Sequence, residues 1–133
     1  MPRIVFDTNV LVSAVIFDGQ PRKLLNKGIQ KQFSIVTSDP ILKELASVLR
    51  RPKFKTAEDE IDRIVLALTE TCEITKVSSS FEVVKVDPTD DVILNTAYDG
   101  EADVIVSGDH HLLELNSFKG IRILRVSEAL HEF

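Results

Sequence analysis

The sequence predicts an α/β fold, with a central and mostly parallel sheet covered by helices on both faces. Three observations carry that prediction. Short runs rich in β-branched residues, "RIVF", "FSIVTS", "DVIVS" and "IRILRV", alternate along the chain with stretches of helical period. Acidic and small polar residues stand directly after two of these runs, Asp7 after the first and Ser107 and Asp109 after the third, where open parallel sheets place their ligands. The length of 133 residues fits one domain, 1–133, with a single core and no internal repeat.

Taken in order, residues 3 to 6 read as a short buried strand ending at Asp7, with helical spacing resuming from Val10 to Phe17. A loop, "DGQP", leads to a second helix through about Lys31, with Pro21 in its first turn. The strand "FSIVTS" follows, then the helix "SDPILKELASVLRR". Ser38 or Asp39 can cap that helix; Ile41, Leu42, Leu45, Val48 and Leu49 form its apolar stripe, and Pro52 marks its end. Residues 57 to 71 show the same period, with acids crowding the first turn. From Glu73 to Val86 the pattern is extended and broken by "SSS". "DPTDD" then opens a helix from about Asp90 to Tyr98, closed by Gly100. A strand, the short helix "DHHLLEL", the strand "IRILRV" and the terminal helix "SEALHEF" complete the pass.

Composition narrows the class. Hydrophobic residues are 44% and charged residues 28% of the chain, which fits a packed globular protein rather than a disordered one. The apolar run Val10 to Phe17 is broken by Ser13 and lies behind Asp7, so it reads as neither signal peptide nor membrane span, and a cytoplasmic protein is expected. The single cysteine, Cys72, reads as a buried thiol. The net charge of -5 hides an asymmetry: residues 20 to 55 carry nine Lys or Arg against two acids, and the remainder has a net charge of -12. That split suits a polyanion gripped beside a carboxylate site, and equally a solvated pair of helices.

Four carboxylates occupy positions of one kind: Asp7, Glu44, Asp91 and Asp109. Glu44 lies beside the apolar stripe of its helix, at the buried edge, which is unusual for an unpaired acid. Acids meeting at one rim repel and raise one another's pKa unless a cation neutralises them, and oxygen donors without thiolates point to Mg²⁺ or Mn²⁺. Taken singly, each has a plainer explanation: the three aspartates can cap helices and Glu44 can pair with a nearby Lys or Arg. Asp90 can stand in for Asp91 if the helical register shifts by one. His110 and His111, adjacent on a helix, should point about 100° apart and fill surface or core rather than face one site.

These stretches resemble a known family. "IVFDTNVLVSA", "VTSDPILKELASVLRRPKF", "DPTDDVILNTA" and "ADVIVSGDHHLLEL" are similar in order and spacing to the motifs of PIN domains, and more narrowly to the toxin components of toxin-antitoxin pairs, the VapC-like ribonucleases. The resemblance covers nearly the whole chain and implies a three-layer α/β/α fold. It implies an acidic quartet of Asp7, Glu44, Asp91 and Asp109 serving as catalytic residues and metal ligands, with Asn9 and Ser107 supporting them. The implied activity is divalent-metal-dependent hydrolysis of RNA phosphodiester bonds, with one or two Mg²⁺ or Mn²⁺ ions, the latter roughly 3.5 to 4 Å apart. Arg22, Lys23, Arg50, Arg51, Lys53 and Lys55 would hold the RNA backbone. An antitoxin partner and a homodimer are implied as well, and no membrane association.

Two rivals stand beside this reading. A phosphohydrolase of the haloacid-dehalogenase type also places an aspartate after its first strand, but it looks for Asp-x-Asp and this chain has Asn9 at the second position. A noncatalytic RNA- or partner-binding module would keep the fold and the acids without turnover. Only one Tyr, no Trp and seven Phe mostly in apolar positions are present, so no aromatic platform for single strands stands out.

Overall fold

The computed structural model describes residues 1–133. Its elements, in chain order, are β1 (Arg3–Phe6), α1 (Thr8–Ile16), α2 (Gln20–Ile29), β2 (Ser34–Ser38), α3 (Asp39–Leu49), α4 (Glu58–Thr71) and β3 (Glu73–Thr75). They continue as α5 (Pro88–Asp99), β4 (Val104–Val106), α6 (His110–Leu115), β5 (Ser117–Phe118), β6 (Ile121–Leu124) and α7 (Val126–Glu132), with a 3₁₀ turn at Pro52–Phe54. The fold class expected from the sequence is the one found. Six strands form one sheet in the order β3-β2-β1-β4-β6-β5, parallel throughout except for the β5–β6 pair.

Register explains how the sheet presents its residues. Val5 pairs with Val36 and with Ile105, so the next positions, Asp7, Ser38 and Ser107, share one face at the carboxyl ends of three neighbouring strands. Helix α5 lies on that face: the Ser38 and Thr96 hydroxyls are 2.8 Å apart, and Gly100 lets the end of α5 close on Val36. On the other face Gly28 of α2 seats against Ile35 and Phe33, where an added Cβ would fall 2.5 Å from the Ile35 side chain. Phe33 in turn packs between Phe6 and Phe133. One continuous core of 34 buried residues spans both faces.

Departures from the expected elements have local causes. Of the extended stretch from Glu73 to Val86 only Glu73–Thr75 pairs into the sheet; residues 78 to 84 run along α5 instead. Helix α5 begins earlier than expected because Asp87 caps it, accepting from the Thr89 N–H at 3.1 Å with Pro88 in the first turn. The two-residue strand β5 was not expected; it folds back on β6 through Lys119 and Gly120, both at positive φ, a turn suited to a tight hairpin. No helix is long and apolar enough to cross a membrane.

Candidate metal centre

Strand β1 carries Asp7 to the edge of the core, and the backbone N–H of Asp7 donates to the Val106 carbonyl at 2.9 Å. Asp7 occupies the position before helix α1, yet its side chain makes no capping bond. Instead its Oδ2 accepts from the Ser107 hydroxyl at 2.6 Å, and Ser107 Oγ accepts from the Asp109 N–H at 2.9 Å. Ser107, fully buried, thus ties the end of β1 to the start of α6. Burial raises the Asp7 pKa; the Ser107 hydroxyl and the neighbouring backbone oppose that rise, and Asp109 adds to it.

Helix α5 brings the second acid, and it is Asp90. The side chain is 3% exposed, and its Oδ2 has no hydrogen-bond partner. Its pKa is pushed up to about 7, first by burial and then by the charges of Asp109, Asp87, Asp7 and Asp91. Asp87, Asp90 and Asp109 each offer a carboxylate oxygen within 4.8 Å of the others. Asp87 and Asp109 do cap their helices, Asp109 accepting from the His111 N–H at 2.8 Å. Capping leaves Asp90 unaccounted for. A buried, unpartnered carboxylate among three others costs free energy unless a proton or a cation offsets it. The donor set is all hard oxygen, which fits a divalent ion of the Mg²⁺ or Mn²⁺ type.

Asp91 faces elsewhere. Its Oδ1 accepts from the N–H groups of Val83 and Val84 at 3.0 and 2.8 Å. One turn on, Asn95 bonds both the N–H and the carbonyl of Phe81, and a further turn on, Asp99 Oδ2 accepts from the N–H groups of Ser78 and Ser79. This i, i+4, i+8 ladder holds the strandless segment 78–84 against α5. The readable signal was there: an Asp-Asn-Asp stripe at helical spacing beside a polar stretch with no sheet partner.

Glu44 is half-buried on α3 and makes neither a salt bridge nor a hydrogen bond, so the neighbouring-cation explanation does not apply; it lies outside the 4.8 Å group. Asn9 is exposed on the first turn of α1 and lines the cavity that reaches Asp109. The histidines do not diverge as expected: their ring centroids are 4.0 Å apart, and with Asp109 they offer donor atoms within 4.8 Å of one another. At the first turn of a short helix no preceding turn confines them, and their side-chain torsions override the 100° backbone separation.

The basic residues divide. Arg22 donates from Nε to the Ala14 carbonyl and from a terminal nitrogen to the Val15 carbonyl, both at 3.0 Å, so it clamps the end of α1. Arg50 pairs with Glu58 at 2.6 Å on the surface. Arg51 and Lys53 line a cavity together with Asn9 and Ser13. Lys23 and Lys55 are exposed and form no salt bridge. Cys72 is buried, and burial lifts its thiol to about 11, too high for a reactive thiolate.

Comparison with known proteins finds relatives of this chain. A family model described as "PIN domain" matches residues 3–111. An uncharacterized protein of Methanocaldococcus jannaschii is 32% identical over 117 residues, covering 85% of this chain and 74% of its own length. Among solved structures, the crystal structure of VapBC2 from Rickettsia felis, bound to a DNA fragment from its promoter, aligns with a TM-score of 0.66 over 92% of this chain and 98% of that one. Its sequence identity is 15%, so that likeness speaks to the fold.

Proposed function

The chain belongs to the PIN domain family, whose members are generally nucleases, and on that premise we propose that it is a divalent-metal-dependent endoribonuclease, the toxin of a toxin-antitoxin pair. The observation that carries the reading is Asp90: a buried carboxylate with an orphaned oxygen, within 4.8 Å of the Asp87 and Asp109 carboxylates and within electrostatic reach of Asp7 at the end of β1. Family membership removes the ground for the dehalogenase-type alternative.

In this reading Asp87, Asp90 and Asp109, whose carboxylates approach within 4.8 Å of one another, would hold the ion, and Asp7 would complete its shell from the end of β1. Asp90 takes the role that the resemblance assigned to Asp91. When bound, a divalent cation neutralises charge on the scissile phosphate and lowers the pKa of the attacking water. The chain's own groups do the rest. Ser107 fixes the orientation of the Asp7 carboxylate through its hydroxyl, as a supporting partner of a ligand does. Glu44, free of any salt bridge, binds a second ion or orients the water, and Asn9 bonds groups at the mouth. Arg51 and Lys53, with the exposed Lys23 and Lys55, draw the backbone of the RNA. Arg22 and Arg50 are engaged elsewhere and leave that set. The partner and setting follow the family resemblance: an antitoxin protein, a homodimer, and the cytoplasm.

The test is cleavage of labelled single-stranded RNA and DNA in Mg²⁺, Mn²⁺ or EDTA. Native protein should cut RNA only with metal, and Asp7→Asn should abolish cutting while leaving the metal-free protein as stable as before or slightly more so. Cutting in EDTA, or by Asp7→Asn at the native rate, would sink the reading. A clear loss of metal-free stability in Asp7→Asn would instead make Asp7 a structural residue.

A further inference from the structure

Asp109, His110 and His111 follow one another where β4 passes into α6, and the fold turns all three toward a common point. Their donor atoms, one carboxylate oxygen and two imidazole nitrogens, lie within 4.8 Å of one another. The acid is fixed from two sides: its N–H donates to Ser107 Oγ at 2.9 Å, and its Oδ1 accepts from the His111 N–H at 2.8 Å. The two imidazoles overlap, with centroids 4.0 Å apart and planes inclined at 39°. Neither ring forms a salt bridge, and neither belongs to the core, since His110 is exposed and His111 half-buried. Core packing therefore does not explain why they converge beside the acid.

Donor chemistry separates this group from the acid cluster. Asp87, Asp90 and Asp109 offer oxygen alone, which suits Mg²⁺ or Mn²⁺. Two imidazole nitrogens with one carboxylate oxygen suit Zn²⁺ and its transition-metal neighbours, and three protein ligands leave the fourth tetrahedral position to water. Room for that fourth ligand exists, because Asp109 and His110 line a cavity of about 450 Å³ with Asn9 and Ser13. Bonds of about 2.0 to 2.1 Å place neighbouring ligands on a tetrahedral ion roughly 3.4 Å apart. Small rotations of solvent-facing rings bring the three donors to that spacing.

We propose that Asp109, His110 and His111 form a binding site for a transition-metal ion of the Zn²⁺ class, chemically distinct from the all-oxygen centre and joined to it only through Asp109. The site stands apart from the nuclease reading, because it needs no substrate and takes a different kind of ion. Its ligands come from three consecutive residues, so folding has only one short segment to place.

The test uses Co²⁺, which occupies Zn²⁺ sites and reports its ligands through visible absorption. Metal-free native protein, His110→Asn, His111→Asn and Asp90→Asn are titrated with Co²⁺ and followed by absorption and by the ring-proton NMR signals of the three histidines. Native protein should show the intense bands of four-coordinate Co²⁺, and one equivalent of Zn²⁺ should bleach them. The ring signals of His110 and His111 should shift together, with His131 on α7 as the internal control. Each histidine variant should weaken Co²⁺ binding more than about 10-fold, because losing even an outer partner of a ligand costs about 10- to 100-fold. Asp90→Asn should keep the bands. His110 is exposed, so asparagine there leaves the core intact, and thermal melts verify all three variants. Bands that survive both histidine substitutions and vanish in Asp90→Asn would put the ion in the all-oxygen centre and overturn the proposal. Absent bands in native protein, unshifted His110 and His111 signals, or a shift of His131 alone would overturn it too, and each leaves the nuclease reading where it stands.

Discussion

Replacing Asp90 with asparagine isolates the charge that the fold withholds from water. The native carboxyl titrates near 7 instead of its ordinary 3.8, a gap of roughly three units at about 1.4 kcal/mol each, or about 4 kcal/mol. Relaxation of the surrounding groups and water penetration offset part of this, so about 2 kcal/mol is expected. Below about pH 4 the group is protonated in both the folded and the unfolded chain and costs nothing. Between about pH 4 and 7 only the unfolded chain gives up the proton, so the folded state binds more protons and stability falls as the pH rises. Above about pH 7 both are ionised and the full penalty stands. Urea titrations in EDTA at pH 4.5, 6, 7 and 8 should therefore show native protein weakening by about 2 kcal/mol more than Asp90→Asn across that window. In thermal melts the variant should gain roughly 7 °C at pH 8 and almost nothing at pH 4.5. Saturating Mn²⁺ should stabilise native protein far more than the variant and reverse their order. Parallel pH profiles for the two proteins would refute the reasoning, because they would mean that Asp90 loses no solvation on folding.

The neighbouring acid should behave differently. Asp91→Ala leaves two backbone N–H groups without their acceptor and should cost about 2 kcal/mol in urea denaturation at pH 7, while Mn²⁺ affinity, read by calorimetry, falls far less than with Asp90→Asn. A larger loss of Mn²⁺ affinity in Asp91→Ala would return the ligand role to that residue. Gly28→Ala should lower the melting temperature despite alanine's better helix propensity, because the new Cβ would press on Ile35 and Phe33 at a cost of about 1 to 3 kcal/mol; an unchanged or higher melting temperature would show that the α2 packing gives way freely.

How much of this was legible in the sequence depended on whether the cause was local. Strand β1 and helix α3 announce themselves because period and capping are properties of a few adjacent residues. The choice between Asp90 and Asp91 is not of that kind. Both sit in the first turn of α5, and which one turns inward is decided by Asp87 capping the helix and by the 78–84 segment claiming the outer stripe. Asp7 was readable as a strand-end acid, but Ser107 as its direct partner follows from the pairing of β1 with β4, 100 residues apart in sequence. The hairpin at Lys119–Gly120 escaped notice because a two-residue strand has no periodicity; only the glycine marked it. The cavity that Phe17 and Phe54 help to line could not be seen at all. Phe17 ends one helix and Phe54 closes a turn beyond another, and only the packing of α1 on α3 brings them to one cavity.

The strand order also sets a timetable. β1, β2 and β3, all within the first 75 residues, form one half of the sheet, and β4, β6 and β5, from residues 104 to 124, form the other; β1 and β4 meet at the seam, where Asp7 and Asp109 stand on opposite sides. A chain emerging from the ribosome carries Asp7 from the outset, yet no assembled acid cluster exists until the last fifth of the polypeptide has been made and docked. On the proposed ribonuclease reading, the nascent chain therefore lacks its complete acid cluster while its own message is being translated, and a message broken before the codon for residue 109 yields a fragment without that cluster.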